Sequence, residues 1–358
     1  MELNIEHKPA AHCENGTISS LLRFYGINLS EPMIFGLASG LYFTHAPWMK
    51  MGGLPVTAFR TFPGILFKRV TKLLNIKTKT QRFLNKEKAM AKLDYLLLEQ
   101  KKPVGCVVGM YYLPYVPNEY RFHFNGHNIC IIGKKDSNDG TVENAEYAVL
   151  DTNCTQKVTI SYKDLVKVRF AKGGTYPLMG QMYWIESVPE NLPDLTPLIL
   201  KSIKKTCKEM ISYPSFIPWI GARGILYLSK RIRTWGKKDG DVKSAMLNLA
   251  NVIRMLEEIG TGGAGFRFIY GAFLQEAAGV TGIEELNIYS KRITEIGDLW
   301  REFAYKGARI IRSRRKVNAN ANVNYTFDDL GDILEKIGHL EYDFFKELLN
   351  CASLNDKR

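Results

Sequence analysis

Three residues of types that can do nucleophilic chemistry stand far apart in this chain: Cys13, His127 and Asp151. Cys13 lies in His12-Cys13-Glu14-Asn15-Gly16, directly ahead of Thr17 to Gly26. Ile18, Leu21, Leu22 and Tyr25 recur at helical spacing, and Gly26 ends the pattern, so the cysteine falls at or just before a helix's first turn. Free backbone N–H groups and the positive end of the helix dipole favour a thiolate there. The same N–H groups can hold an oxyanion. A nucleophilic cysteine also needs a base, and the base needs an orienting partner. His127 follows Asn125-Gly126 and opens the apolar run Asn128 to Gly133. Asp151 closes the run Tyr147 to Leu150. If the two runs are neighbouring antiparallel strands, the start of one meets the end of the other, and the carboxylate can fix the imidazole tautomer. Taken singly, each residue also fits a plainer role: a small buried hydrophobe, a turn histidine, a strand-end cap. The order cysteine, long gap, histidine, hairpin, aspartate says more than any one member.

Helices come first in the elements that would position these groups. Ser30-Glu31-Pro32-Met33 opens a second helix, with Ser30 as N-cap and Pro32 in the first turn. Leu41 to Thr44 reads as a strand, Met51 to Pro55 as a turn, and the basic stretch onward to Gln100 as helical. Lys102-Pro103 marks a change of texture. Strands are expected at Val104 to Tyr112, around His127, at Tyr147 to Asn153, at Lys157 to Ile160 and at Gln181 to Ser187, with a polar hairpin loop at Lys134 to Asn144 and a helical turn at Tyr162 to Val166. This is an α+β domain over residues 1–188. Three prolines in Pro189 to Pro197 read as a linker, 189–197. Residues 198–358 read as an all-α domain, with helical periods at Leu247–Ile259, Phe266–Ala278, Ile283–Tyr305 and Thr326–Leu349. Asn318 to Asn324 is a low-complexity loop.

Composition narrows the function classes. At 358 residues, 46% hydrophobic and 24% charged, the chain is ordinary globular material. It has no run of about 18 uncharged apolar residues and no signal-like N-terminus, so a cytoplasmic location without a membrane span is expected. The six scattered cysteines form no C-x-x-C pair, which argues against a metal site; no cofactor is expected either. Forty-nine basic residues face 36 acidic ones, a net charge of +13. Eleven basic and three acidic residues fall between Phe67 and Lys102, and a second basic stretch runs from Lys201 through Lys238. Basic surface suits nucleic acid, anionic membrane or an acidic protein, but no nucleic-acid-binding motif accompanies it. A solvated helix face fits it as well.

His12-Cys13-Glu14, Leu21 to Gly26, Leu29 to Leu41, Tyr111 to Tyr115, Gly126-His127 and Val149 to Thr152 together resemble the N-terminal domain of butirosin biosynthesis protein H. Gly260 to Tyr270 and Phe273 to Ala278 resemble the uncharacterised helical domain that often follows it. The resemblance implies a papain-like thiol fold related to bacteriocin-processing peptidases. It implies Cys13 as nucleophile, His127 as base and Asp151 as orienter. It further implies a cysteine acyltransferase of secondary metabolism that takes an acyl group from an acyl carrier protein thioester and gives it to an amine. Acyl carrier proteins are acidic, so the basic charge fits such a partner. Papain-like enzymes usually place an oxyanion-binding glutamine six residues before the cysteine; that position holds His7 here, beside the Cys13 backbone N–H. Arg267 and Tyr270, after the glycine run Gly260 to Gly265, are candidate substrate contacts. Two other readings stand: a peptidase or amidohydrolase with the same triad and water as acceptor, and a non-catalytic binding protein of the same fold.

Overall fold

The computed structural model describes residues 1–137, 141–173, 177–235, 242–314 and 325–356. The low-complexity Asn318 to Asn324, part of the 134–144 loop and the end of the second basic stretch lie outside them. Two compact units are present: residues 1–34 with 63–193, and residues 35–62 with 194–358. The contiguous split expected at 188/198 therefore differs from the observed units, because residues 35–62 group with the helices. Asp194 caps a helix that begins at Leu195, so Pro197 sits in a first helical turn, where its missing N–H costs nothing.

The first unit opens with α1 (Cys13–Phe24), and α2 (Glu31–Leu37) begins in it and continues past its boundary at residue 34. Ser30 Oγ accepts the Met33 N–H at 3.0 Å, as an N-cap should. A two-stranded antiparallel hairpin, β1 (Leu41–Met51) and β2 (Leu54–Arg60), belongs to the second unit. Where helix was expected through Gln100, the chain forms α3 (Ile65–Leu73), β3 (Lys77–Gln81) and α4 (Lys86–Asp94), the last continuing as a π-helical turn to Glu99. Then come β4 (Val104–Gly109), β5 (Asn125–Lys135), β6 (Glu146–Leu150), β7 (Val158–Ser161), α5 (Tyr162–Arg169) and β8 (Met182–Ser187). The six strands form one antiparallel sheet in the order β3-β8-β4-β5-β6-β7. On one face Val104, Cys106, Val108, Ile129, Ile131, Tyr147 and Val149 build the core with α4 and α5. α1 packs on β5 through buried Ile18, Leu21 and Leu22.

The second unit joins the hairpin to α6 (Leu195–Ile211), α7 (Gly221–Trp235), α8 (Val242–Glu257), α9 (Arg267–Thr281), α10 (Glu285–Arg314) and α11 (Phe327–Asn355). β1 lies on α7 and β2 on α8, while α11 packs against α6, α7 and α10. Phe43 and Phe59 of the hairpin meet the Trp300 ring at 5.9 and 5.2 Å. No helix among the described residues is long and apolar enough to cross a membrane.

Candidate active site

Cys13 is the first residue of α1, and His12, with extended backbone, is the N-cap. No side chain of His12 caps the helix. The approach to the cysteine is held instead by Glu31, at the start of α2. Its Oε2 accepts the Ala11 N–H at 3.0 Å and its Oε1 the His12 N–H at 2.6 Å. Burial pushes the Glu31 carboxyl up; those two N–H groups pull it back toward the charged form. Gly16 lets α1 come close to the end of β6. A Cβ on Gly16 would stand 2.2 Å from the Thr152 methyl and 2.8 Å from Ala10 Cβ.

The antiparallel register delivers the second part of the site. Cys130 pairs with Leu150, so the start of β5 lies beside the chain leaving β6. There His127 Nε2 and Asp151 Oδ2 are 2.8 Å apart, with 2% and 0% of the residues exposed. Asp151 accepts two further donors: Tyr115 Oη donates to Oδ2 at 3.0 Å and the Asn153 N–H to Oδ1 at 3.0 Å. Burial pulls the His127 pKa down, but Asp151 and Cys13, each through charge and a hydrogen bond, carry it well above the ordinary imidazole value. Burial likewise pushes Asp151 up, yet His127, Asn153 and Tyr115 bring it below the usual carboxylate value. Burial and Asp151 hold the Tyr115 hydroxyl protonated, so it remains a donor. The arrangement can take a proton from the thiol and keep it on a ring stabilised by a buried carboxylate.

His7 is placed differently from an oxyanion donor. Its Nε2 lies 2.8 Å from the Cys154 carbonyl oxygen, which can only accept, so Nε2 carries the hydrogen. In the neutral ring Nδ1 then has none to give. Two residues absent from the sequence-based site form a hydrogen-bonded chain that ends on the sulfur. Asn128 Nδ2 is 3.9 Å from Cys13 Sγ, and Tyr183 Oη is 2.8 Å from Asn128 Oδ1. Their signal in sequence is slight: an amide one residue past the histidine, and Gly105 inside strand β4, where a Cβ would stand 2.4 Å from the Tyr183 ring.

Arg267 and Tyr270 are fully buried within the second unit. Arg267 donates from Nε and Nη2 to Glu341 at 2.9 and 2.8 Å and from Nη1 to the Gly265 carbonyl at 2.8 Å. Trp300 Nε1 donates to the same Glu341 at 2.8 Å. A substrate would have to displace Glu341 to reach this guanidinium, so the expected contact is a core ion pair instead. The run 260–265 is the turn ahead of α9, pinned by Thr261 Oγ1 on the Leu256 carbonyl and Glu257 on the Ala264 N–H. A cavity of about 420 Å³, lined by Phe83, Leu84, Asn125, Phe170, Lys172 and Leu178 among others, includes none of Cys13, His127 and Asp151. Among the described residues no three His, Cys, Asp or Glu side chains are grouped to hold a metal.

These observations define an α+β unit that holds a cysteine at a helix start and a buried histidine–aspartate pair, and a second, largely helical unit. The chain carries a butirosin biosynthesis protein H N-terminal domain over residues 12–145, followed over residues 163–348 by the domain of unknown function DUF4872, to whose family it belongs. No curated protein matches it.

Proposed function

We propose that the chain is a cysteine-dependent acyltransferase that moves an acyl group from a carrier-protein thioester to an amine. The observation that carries this is the buried His127–Asp151 hydrogen bond of 2.8 Å, with Cys13 at the start of α1 among the groups that raise the His127 pKa. His127 takes the thiol proton, and Cys13 Sγ attacks the thioester carbonyl. The tetrahedral oxyanion collapses to acyl-Cys13, and the departing carrier thiolate takes the proton from the imidazolium. The amine nitrogen then attacks acyl-Cys13, and its surplus proton goes to His127 as the amide forms and the thiolate returns. The butirosin biosynthesis protein H N-terminal domain supports this reaction class. The acidic carrier is supported by exposed Lys68, Lys72, Lys77, Lys86 and Lys88 on α3, β3 and α4.

The test is to trap the intermediate. Incubation with an acyl thioester of N-acetylcysteamine should add the acyl mass to the Cys13 peptide. Cys13→Ala should fold and carry no adduct. Turnover unchanged in Cys13→Ala would remove the mechanism. Amide product on adding an amine supports transfer; free acid alone, with every amine tried, supports a hydrolase with the same triad.

A further inference from the structure

The buried amide beside the thiol leaves no freedom in how its atoms are assigned. Asn128 Nδ2 is 3.0 Å from the Gly126 carbonyl oxygen. A carbonyl cannot donate, so the nitrogen of the amide must be the atom on that side, and Oδ1 must be the atom facing Tyr183. An amide oxygen cannot donate either, so the Tyr183 hydroxyl is the donor of that 2.8 Å bond. Burial, followed by the nearby Glu14 and Cys13, holds Tyr183 protonated, so this donor persists across the working pH range. Nδ2 carries two hydrogens. One goes to Gly126, and the other is left for Cys13 Sγ at 3.9 Å, the outer limit of a contact to sulfur.

Resting on the acyl-transfer reading, the geometry points to Asn128 as a further catalytic residue that donates a hydrogen bond to the Cys13 thiolate, with Tyr183 as the positioning residue that locks the amide the right way round. A thiolate accepts more strongly than a thiol, so the bond favours the ionised nucleophile and shortens as the sulfur gains charge. Histidine supplies the proton acceptor; the amide supplies a fixed dipole that needs no proton exchange.

The test reads the thiol, with no substrate needed. Cys13 alkylation by limiting iodoacetamide is followed against pH in the full chain, with Cys106 and Cys130 as buried internal references. Asn128→Ala should raise the apparent pKa of labelling by about one unit and slow it about tenfold near pH 6. Asn128→Asp, of the same shape but with a negative charge in place of the donor, should raise it further. Tyr183→Phe should move it the same way by a smaller factor, and it decides the question if the Asn128 variants fail to fold. His127→Ala is the parallel control. A shift with Asn128→Ala and with His127→Ala supports both readings. A shift with His127→Ala alone, in folded Asn128 variants, overturns the amide's role and leaves the triad. A shift with Asn128→Ala alone keeps the amide and removes His127 as base. No shift with either overturns both.

Discussion

At the residue scale the buried His127–Asp151 pair favours its charged form by mutual attraction, and that has a pH signature. The His127 pKa is raised, so its contribution to stability is complete below the ordinary imidazole value of about 6.5 and is lost as pH rises through the folded value. The Asp151 pKa is lowered, so its contribution is complete above the ordinary carboxylate value of about 3.9 and is lost as pH falls through the folded value. Both are complete between about pH 4 and 6.5. Asp151→Asn should therefore cost most in that window, about 3 kcal/mol, with the gap in melting temperature narrowing as pH is raised. A gap that stays constant from acid to alkaline pH would mean a ring that never carries charge. The same substitution should slow Cys13 alkylation less than His127→Ala, because the carboxylate orients the ring without exchanging the proton.

The helix α1 carries the cysteine only as well as its packing allows. Replacing Gly16 by Ala should gain about 1 kcal/mol of helix propensity, yet the new Cβ would overlap the Thr152 methyl at 2.2 Å. Overpacking at about 1–3 kcal/mol outweighs that gain. Gly16→Ala should lower the denaturant midpoint, and Thr152→Ser, which deletes the methyl, should restore part of it in the double variant. Additive losses would show that the two side chains do not meet. Glu31→Gln should loosen the Ala11–His12 approach, costing about 1–2 kcal/mol as a charged acceptor becomes a neutral one. The sequence made α1, α2 and the β5–β6 hairpin legible, since each announces itself locally: a period, a cap, an apolar run. β3 was not, because Lys77-Thr78-Lys79-Thr80-Gln81 is an exposed edge strand with no buried face to impose alternation. Asn128 was missed because its partner Tyr183 comes from a strand 55 residues away. Arg267 was misplaced because an arginine after a glycine turn looks the same whether it faces a ligand or a glutamate 74 residues on.

Over the whole molecule, charge and burial make separate predictions. A net charge of +13 with a lysine-rich α3–β3–α4 surface should speed encounter with an acidic carrier. Reversing Lys68, Lys72 and Lys77 to Glu should slow acylation from a carrier-protein donor about tenfold or more at low salt, with the difference shrinking as salt is added. Acylation from the small thioester should not change. Equal loss with both donors would place the lysines' effect elsewhere. In the second unit, Glu341→Gln leaves Arg267 buried and uncompensated, at a cost of about 3–5 kcal/mol in unfolding. Exchange of the pair for apolar residues of similar volume should cost far less.

The interleaving of the two units has a consequence for synthesis. The hairpin at 41–60 leaves the ribosome early, while the helices that bury Phe43 and Phe59 begin only at Leu195. At about 5–20 residues per second, that interval is on the order of ten seconds. Throughout it a finished two-stranded ribbon, too small to be stable alone, waits with its aromatic face uncovered. Meanwhile β3 waits for β8, so the six-stranded sheet also stays open until residue 187 has emerged. A nascent chain stalled near Pro193 should therefore bind chaperones and hydrophobic dyes more than the released protein. The same segment supplied as a stand-alone fragment should aggregate unless residues 35–62 are replaced by a short polar loop.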